Sequence, residues 1–230
     1  MSWLSKGSIG LNTLLIFNLG IASAAESANE TGKSESQPNA AILRLTINVY
    51  NQAGIEDKVL RKASQEAGRI FDELGISTEW LDCPPTSVQL PGSPACQQVG
   101  FDIISLRIFP RLNPIQGGFR KTHMGVALVE EQGRVYASIF FQRVMDVAES
   151  GKVPTEKVLG HAVAHEIGHL LLGSNSHSAA GLMKANWHPG DLKLLSMGRF
   201  HFSPKEGSVM RADVVSRNSE ARDPMRLAAR

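Results

Sequence analysis

The stretch HAVAHEIGHLLLGSNSHSAAGLM, His161 to Met183, holds four of the seven histidines of a 230-residue chain. At about 100° per residue, a helix through its first half turns Leu159, Val163, Ile167 and Leu170 to one side and His161, His165 and His169 to roughly the opposite one. Imidazoles one turn apart can converge on a single ion. Glu166 follows His165 directly, where a carboxylate can stand beside a metal without binding it and take a proton from a water that the metal has acidified. A catalytic zinc takes three protein ligands and keeps one open position, so a third ligand is expected after the helix. Gly173 can adopt the left-handed conformation that ends a helix. His177 stands four residues beyond it, and Gly181, Leu182 and Met183 can make a tight turn beneath the ion.

Upstream, AILRLTINVYN (41–51) alternates Leu43, Leu45, Ile47 and Val49 with Arg44, Thr46 and Asn48, the period of a half-buried strand. In 55–75, Ile55, Val59, Leu60, Ala63, Ala67, Ile70, Phe71 and Leu74 recur at helical spacing, and Gly75 can end that helix. ISTEWLDC (76–83) predicts a second strand, parallel to the first across the crossover. FDIISLRIFPR (101–111), MGVALV (124–129) and GRVYASIFF (133–141) predict three more, and QRVMDVAES (142–150) a short helix. The glycine-bearing segment LNPIQGGFRKTH (112–123) reads as a long loop bordering a cleft. Pro154 marks the start of the histidine helix. SPKE (203–206) has the pattern of a capping box opening a C-terminal helix of about three turns through Val209, Met210, Val214 and Val215.

The ends of the chain carry a different signal. Lys6, the apolar run 9–24 and the small residues Ala22 and Ala24 have the parts of a secretory signal peptide, residues 1–24. The run is broken by Asn12 and Asn18 and is shorter than the roughly 20 residues needed to span a bilayer, which argues against stable membrane insertion once it is cleaved. Residues 25–40 are small and polar, the composition of a disordered linker, and 216–230 reads as a flexible tail. The chain is therefore expected to be exported, secreted or periplasmic, with its main domain over 41–215. A formal charge of +2 without any basic cluster disfavours nucleic acid as a partner. The two cysteines, Cys83 and Cys96, bracket a proline-rich loop. In an oxidising compartment a disulfide between them would contribute about 3 kcal/mol, with two free thiols as the alternative.

HEIGHLLLGSNSH followed by GLM resembles the signature of the metzincin zinc endopeptidases, H-E-x-x-H-x-x-G-x-x-H with a methionine turn. The resemblance implies His165, His169 and His177 as zinc ligands, Glu166 as general base and Met183 as the floor of the site. It also implies an α+β catalytic domain: a twisted mixed sheet of about five strands, an active-site helix, a crossover helix and a C-terminal helix after the Met-turn. Three departures stand out. Gly173 lies four residues after His169 where the family has three, and His177 lies eight after it where the family has six. Ala185 occupies the place of a tyrosine that assists the oxyanion in that family.

The function expected is a secreted zinc-dependent endopeptidase acting on a peptide or protein, with Zn2+ as cofactor. The alternatives are an exported protein with a purely structural zinc site and a zinc amidase acting on a non-protein amide. Asp191 or Glu206 could serve as third ligand in place of His177. His161 reads as a residue that packs or orients a ligand without binding the ion, His188 and His201 as surface or packing residues, and His123 as a residue that could line the cleft.

Overall fold

In the strand β1 (Leu43–Asn51), Leu45, Ile47 and Val49 are buried at the expected alternation. The chain is seen here in a computed structural model, which describes residues 42–84, 94–98, 100–111, 123–129, 135–173 and 176–223. These belong to a unit of residues 40–230. Helix α1 (Asp57–Asp72) follows, buries Leu60, Ala63, Ala67, Ile70 and Phe71, and gives way to a turn at Gly75, whose φ of +73° suits glycine. Strand β2 (Ile76–Cys83) then pairs parallel with β1, from Leu43 opposite Ile76 to Tyr50 opposite Cys83.

Strand β3 (Ile103–Phe109) lies parallel on the other side of β1, and β5 (Val135–Phe140) lies parallel to β3. Strand β4 (Gly125–Val129) runs antiparallel to β5 and closes the order β2-β1-β3-β5-β4 as an edge. The result is an α+β fold with a mixed five-stranded sheet, as the strand pattern predicts. Helix α2 (Phe141–Gly151) leads directly out of β5, and α3 (Thr155–Leu172) carries the histidines. Two further helices, α4 (Pro189–Ser196) and α5 (Pro204–Ala221), complete it.

Helices α1 and α3 pack closely where Gly160 meets α1. A Cβ there would stand 2.7 Å from the Ala63 carbonyl oxygen and 2.8 Å from Glu66 Cβ, so glycine sets the approach of the two backbones. Helix α3 departs from the two-faced helix expected: Val158, Leu159, Val163, Ile167 and Leu171 are buried, but so are His161, His165 and Glu166. Its histidine side is covered by the chain that follows it, from Leu182 to Phe202.

Helix α4 was not anticipated. It is two turns long, with Pro189 in its first turn and a capping box between His188 and Asp191, and it buries only Leu192 and Leu195, too short a pattern to stand out. Helix α5 opens with the Ser203–Glu206 capping box but runs to Ala221, beyond the expected three turns. Met210 and Val214 are buried, whereas Val209 and Val215 are 45% and 53% exposed.

Polar anchors extend α5 into the stretch expected to be tail. Arg217 donates to the carbonyls of Leu170 and Phe101, each at 3.1 Å, and Asn218 exchanges two hydrogen bonds with the backbone of Arg44 in β1. The first of these serves a carbonyl in the last turn of α3 that has no partner within its own helix.

Cys83 and Cys96 form a disulfide that ties the end of β2 to the short turn Pro94–Gln97. No helix among the described residues is long and apolar enough to cross a membrane. The expected signal peptide (1–24) and linker (25–40), the segments 85–93 and 112–122 and the end of the expected tail, 224–230, lie outside the described residues.

Candidate metal centre

His165 and His169 sit one turn apart on α3, and His177 arrives from the loop after Gly173, whose φ of +88° ends the helix. One ring nitrogen of each lies within 4.8 Å of the others, the only such grouping of potential ligands among the described residues. His165 is buried, His169 half-buried and His177 exposed, so the group opens to solvent on the His177 side.

The hydrogen bonds decide which nitrogens are available. His165 Nδ1 lies 2.8 Å from the Leu182 carbonyl oxygen. A carbonyl can only accept, so Nδ1 carries the proton and Nε2 keeps its lone pair. His169 Nδ1 lies 2.8 Å from Ser176 Oγ, which leaves Nε2 as the nitrogen that faces His165. The two Nε2 atoms face each other at 3.1 Å. Nitrogens bound to one tetrahedral zinc at about 2.0–2.1 Å would stand roughly 3.3 Å apart. The two helical nitrogens have the spacing that such an ion requires, and His177 brings a third imidazole within 4.8 Å of them.

Burial also keeps these rings neutral. It holds His165 and His169 down to about 4, the Leu182 carbonyl partly offsetting this for His165 and the neighbouring histidines adding to it for His169. His177 is lowered by burial and then by His123. Neutral imidazole is the form that binds a metal.

The segment beneath the histidines is fixed by two glycines. At Gly168, between the two helical histidines, a Cβ would fall 2.8 Å from Met183 Sδ and 3.0 Å from Phe202 Cε1, so glycine lets the fully buried Met183 lie against α3. At Gly181, φ is +77° and a Cβ would fall 2.8 Å from the His201 carbonyl oxygen. Leu182 N–H donates to that same oxygen at 2.8 Å, while Leu182 C=O accepts from His165. One residue, Leu182, thus holds the His165 ring through its carbonyl and is itself held from behind through its N–H.

Glu166 is 6% exposed, and burial pushes its carboxyl up to about 8. It packs against the backbone of Gly125, the first residue of edge strand β4: a Cβ there would lie 2.6 Å from Glu166 Cγ and 2.8 Å from Oε1. The acid and the edge strand are immediate neighbours. A nearby cation would favour its carboxylate and lower that pKa.

No family model and no curated protein matches the chain. Among solved structures, the chain is similar to a zinc-dependent peptidase from Methanocorpusculum labreanum strain Z, at 16% identity over 71% of this chain and 99% of that one, with a TM-score of 0.44. It is also similar to an archaemetzincin from Methanopyrus kandleri, at 14% identity over 75% of this chain and 96% of that one, with a TM-score of 0.45. Both likenesses are distant, and neither informs the chemistry of this site.

Other candidate residues have different employment. His161 is fully buried, with Nδ1 2.9 Å from the Lys157 carbonyl oxygen and 3.7 Å from Glu66 Oε1, and its ring stacks on Phe200 at 6.2 Å. It packs between α3 and α1 and stands outside the three-histidine group. Asp191 accepts from Lys184 Nζ at 2.5 Å and from His188 N at 2.8 Å, and Glu206 is bound to Ser178 and Ser203, so neither replaces His177 in the group. His123 is exposed just before β4. Trp187, which sequence reasoning missed, meets His165 edge-on at 6.0 Å and Phe200 at 5.3 Å. No local spacing links a tryptophan 22 residues downstream to His165.

Proposed function

We propose that the chain is an exported zinc-dependent endopeptidase, with His165, His169 and His177 as ligands and Glu166 as general base. The observation that carries this reading is the pair of Nε2 atoms facing each other at 3.1 Å, with both Nδ1 atoms engaged elsewhere and His177 beside them. When bound, zinc would supply Lewis acidity that polarises a scissile carbonyl and acidifies a water.

The protein's own groups supply the rest. An extended peptide laid along β4, the edge strand among the described residues, would add to the sheet there, bringing a peptide bond past Glu166 at Gly125. Glu166 takes a proton from the attacking water and returns it to the leaving amine, so the bond breaks without a free strong base. Met183 and the Leu182 carbonyl keep the histidines in place. Export is supported by the composition of residues 1–24 and by the disulfide.

A second reading, a structural zinc site, is favoured by one feature. The charge of His123 acts to lower His177, although His123 stands outside the three-histidine group. The test of the first reading is cleavage of a mixed peptide library by the zinc-loaded chain and by Glu166→Gln. Cleavage by the parent, lost by about 10²–10⁴-fold in the variant with zinc retained, is the expected result. An equally active variant removes Glu166 from the mechanism, and an inactive parent removes the peptidase.

A further inference from the structure

Glu206 lies 29 residues from His177, at the start of α5, and is 8% exposed. A buried carboxylate that only capped a helix would need one oxygen for the task. Here Oε2 accepts from Ser203 N at 2.6 Å, closing the capping box in which Ser203 Oγ accepts from Glu206 N at 3.3 Å. Oε1 is engaged separately, by the hydroxyl of Ser178. Ser178 is the residue after His177, and its N–H donates to the Met183 carbonyl at 2.8 Å. Glu206 therefore joins the rigid end of α5 to the loop that delivers the third histidine.

We infer that Glu206 is a positioning residue for His177, acting through Ser178. The inference rests on the reading of His177 as a zinc ligand and explains how a loop longer than the signature's can hold one. His177 lies eight residues after His169. Without a tie, a loop of that length would spread the His177 ring over many positions and lower the affinity for the ion through the entropy lost on binding. With Ser178 held by hydroxyl and N–H together, the residue beside the ring has one place to be.

The capping role and the positioning role separate by substitution. Ser178→Ala removes the tie and leaves the capping box intact. Ser203→Ala weakens the box and leaves the tie. Glu206→Gln can preserve both bonds, its oxygen accepting from Ser203 N and its amide donating to Ser178 Oγ. Zinc affinity of the full chain, measured by competition with a chromophoric chelator, is read beside the thermal midpoint of the metal-free chain.

The expected result is an affinity loss of about 10-fold or more for Ser178→Ala and Glu206→Ala, within the range for groups that orient ligands. Ser203→Ala should lower the midpoint without changing affinity, and Glu206→Gln should stay close to the parent. Equal affinity in Ser178→Ala and the parent overturns the inference, as does an affinity loss in Ser203→Ala as large as that in Ser178→Ala. Failure of the parent itself to bind zinc strikes instead at the metal centre on which the inference rests.

Discussion

His165 Nδ1 and the Leu182 carbonyl oxygen lie 2.8 Å apart, and this bond sets the tautomer of the most buried histidine of the centre. Its donor is on the helix and its acceptor is in the turn that bears Met183. The acceptor is a backbone atom, so no side-chain substitution removes it directly. Gly181→Ala reaches it indirectly: the new Cβ would need a positive φ and would crowd the His201 carbonyl at 2.8 Å, displacing the Leu182 peptide. Zinc affinity should fall about 10–100-fold, the usual range for loss of an orienting group. Chelator competition checks this, and an unchanged affinity would show that the turn does not govern the ring.

Gly125→Ala addresses the acid rather than the metal. Its Cβ would stand 2.6 Å from Glu166 Cγ and 2.7 Å from the Ser138 carbonyl oxygen in β5, so Glu166 or the edge strand must move. Turnover should drop at least 10-fold, since misplacement by an ångström costs on the order of 100-fold. Zinc content should remain that of the parent. Paired kinetics and metal analysis test this; loss of zinc together with activity would mean that β4 supports the ligands as well.

Acid should destabilise the metal-free chain through His161. Burial holds this imidazole down to about 4, against the Lys157 carbonyl and Glu66, which favour its charged form, with Arg69 and His201 opposing them. Because its folded pKa lies below the ordinary 6.5, the unfolded chain binds more protons between those values. The stability it contributes is present above about 6.5 and declines as pH falls toward about 4. His165 and His169 act in the same direction. In chelator-treated protein, the thermal midpoint of His161→Gln should fall less between pH 7 and pH 5 than that of the parent. Parallel curves would assign the acid sensitivity elsewhere.

The parts of this molecule that were legible in sequence are those set by local periodicity. Leu45, Ile47 and Val49 announce β1 by alternation, and Gly75 stops α1 where a positive φ is needed. The four-residue spacing of His165 and His169 brings two nitrogens together because helical geometry admits no other outcome. His177 required folding to place, since nothing in the longer turn after Gly173 dictates its direction.

Long-range partners carried no signal at all. The Leu182 carbonyol is a backbone atom that any residue would supply; the roles of Glu206 and Trp187 depend on α5 and the preceding segment folding back under α3. The SPKE pattern did disclose Glu206 as a capping residue, but only one of its two oxygens is used for that. Helix α4 stayed hidden because a two-turn helix with Leu192 and Leu195 as its buried residues has too little apolar pattern to read. Arg217 and Asn218 read as tail because their anchors are backbone oxygens distant in sequence, those of Phe101, Leu170 and Arg44.

The central claim is an open zinc centre built by three histidines, and X-ray absorption at the zinc edge of the loaded chain tests it most directly. The result predicted is scattering from three imidazoles at about 2.0–2.1 Å with one further light atom that a hydroxamate displaces. His177→Ala should lower the imidazole count by one. Four imidazoles with no displaceable ligand, the fourth lost in His123→Ala, would contradict the claim and establish a closed structural site.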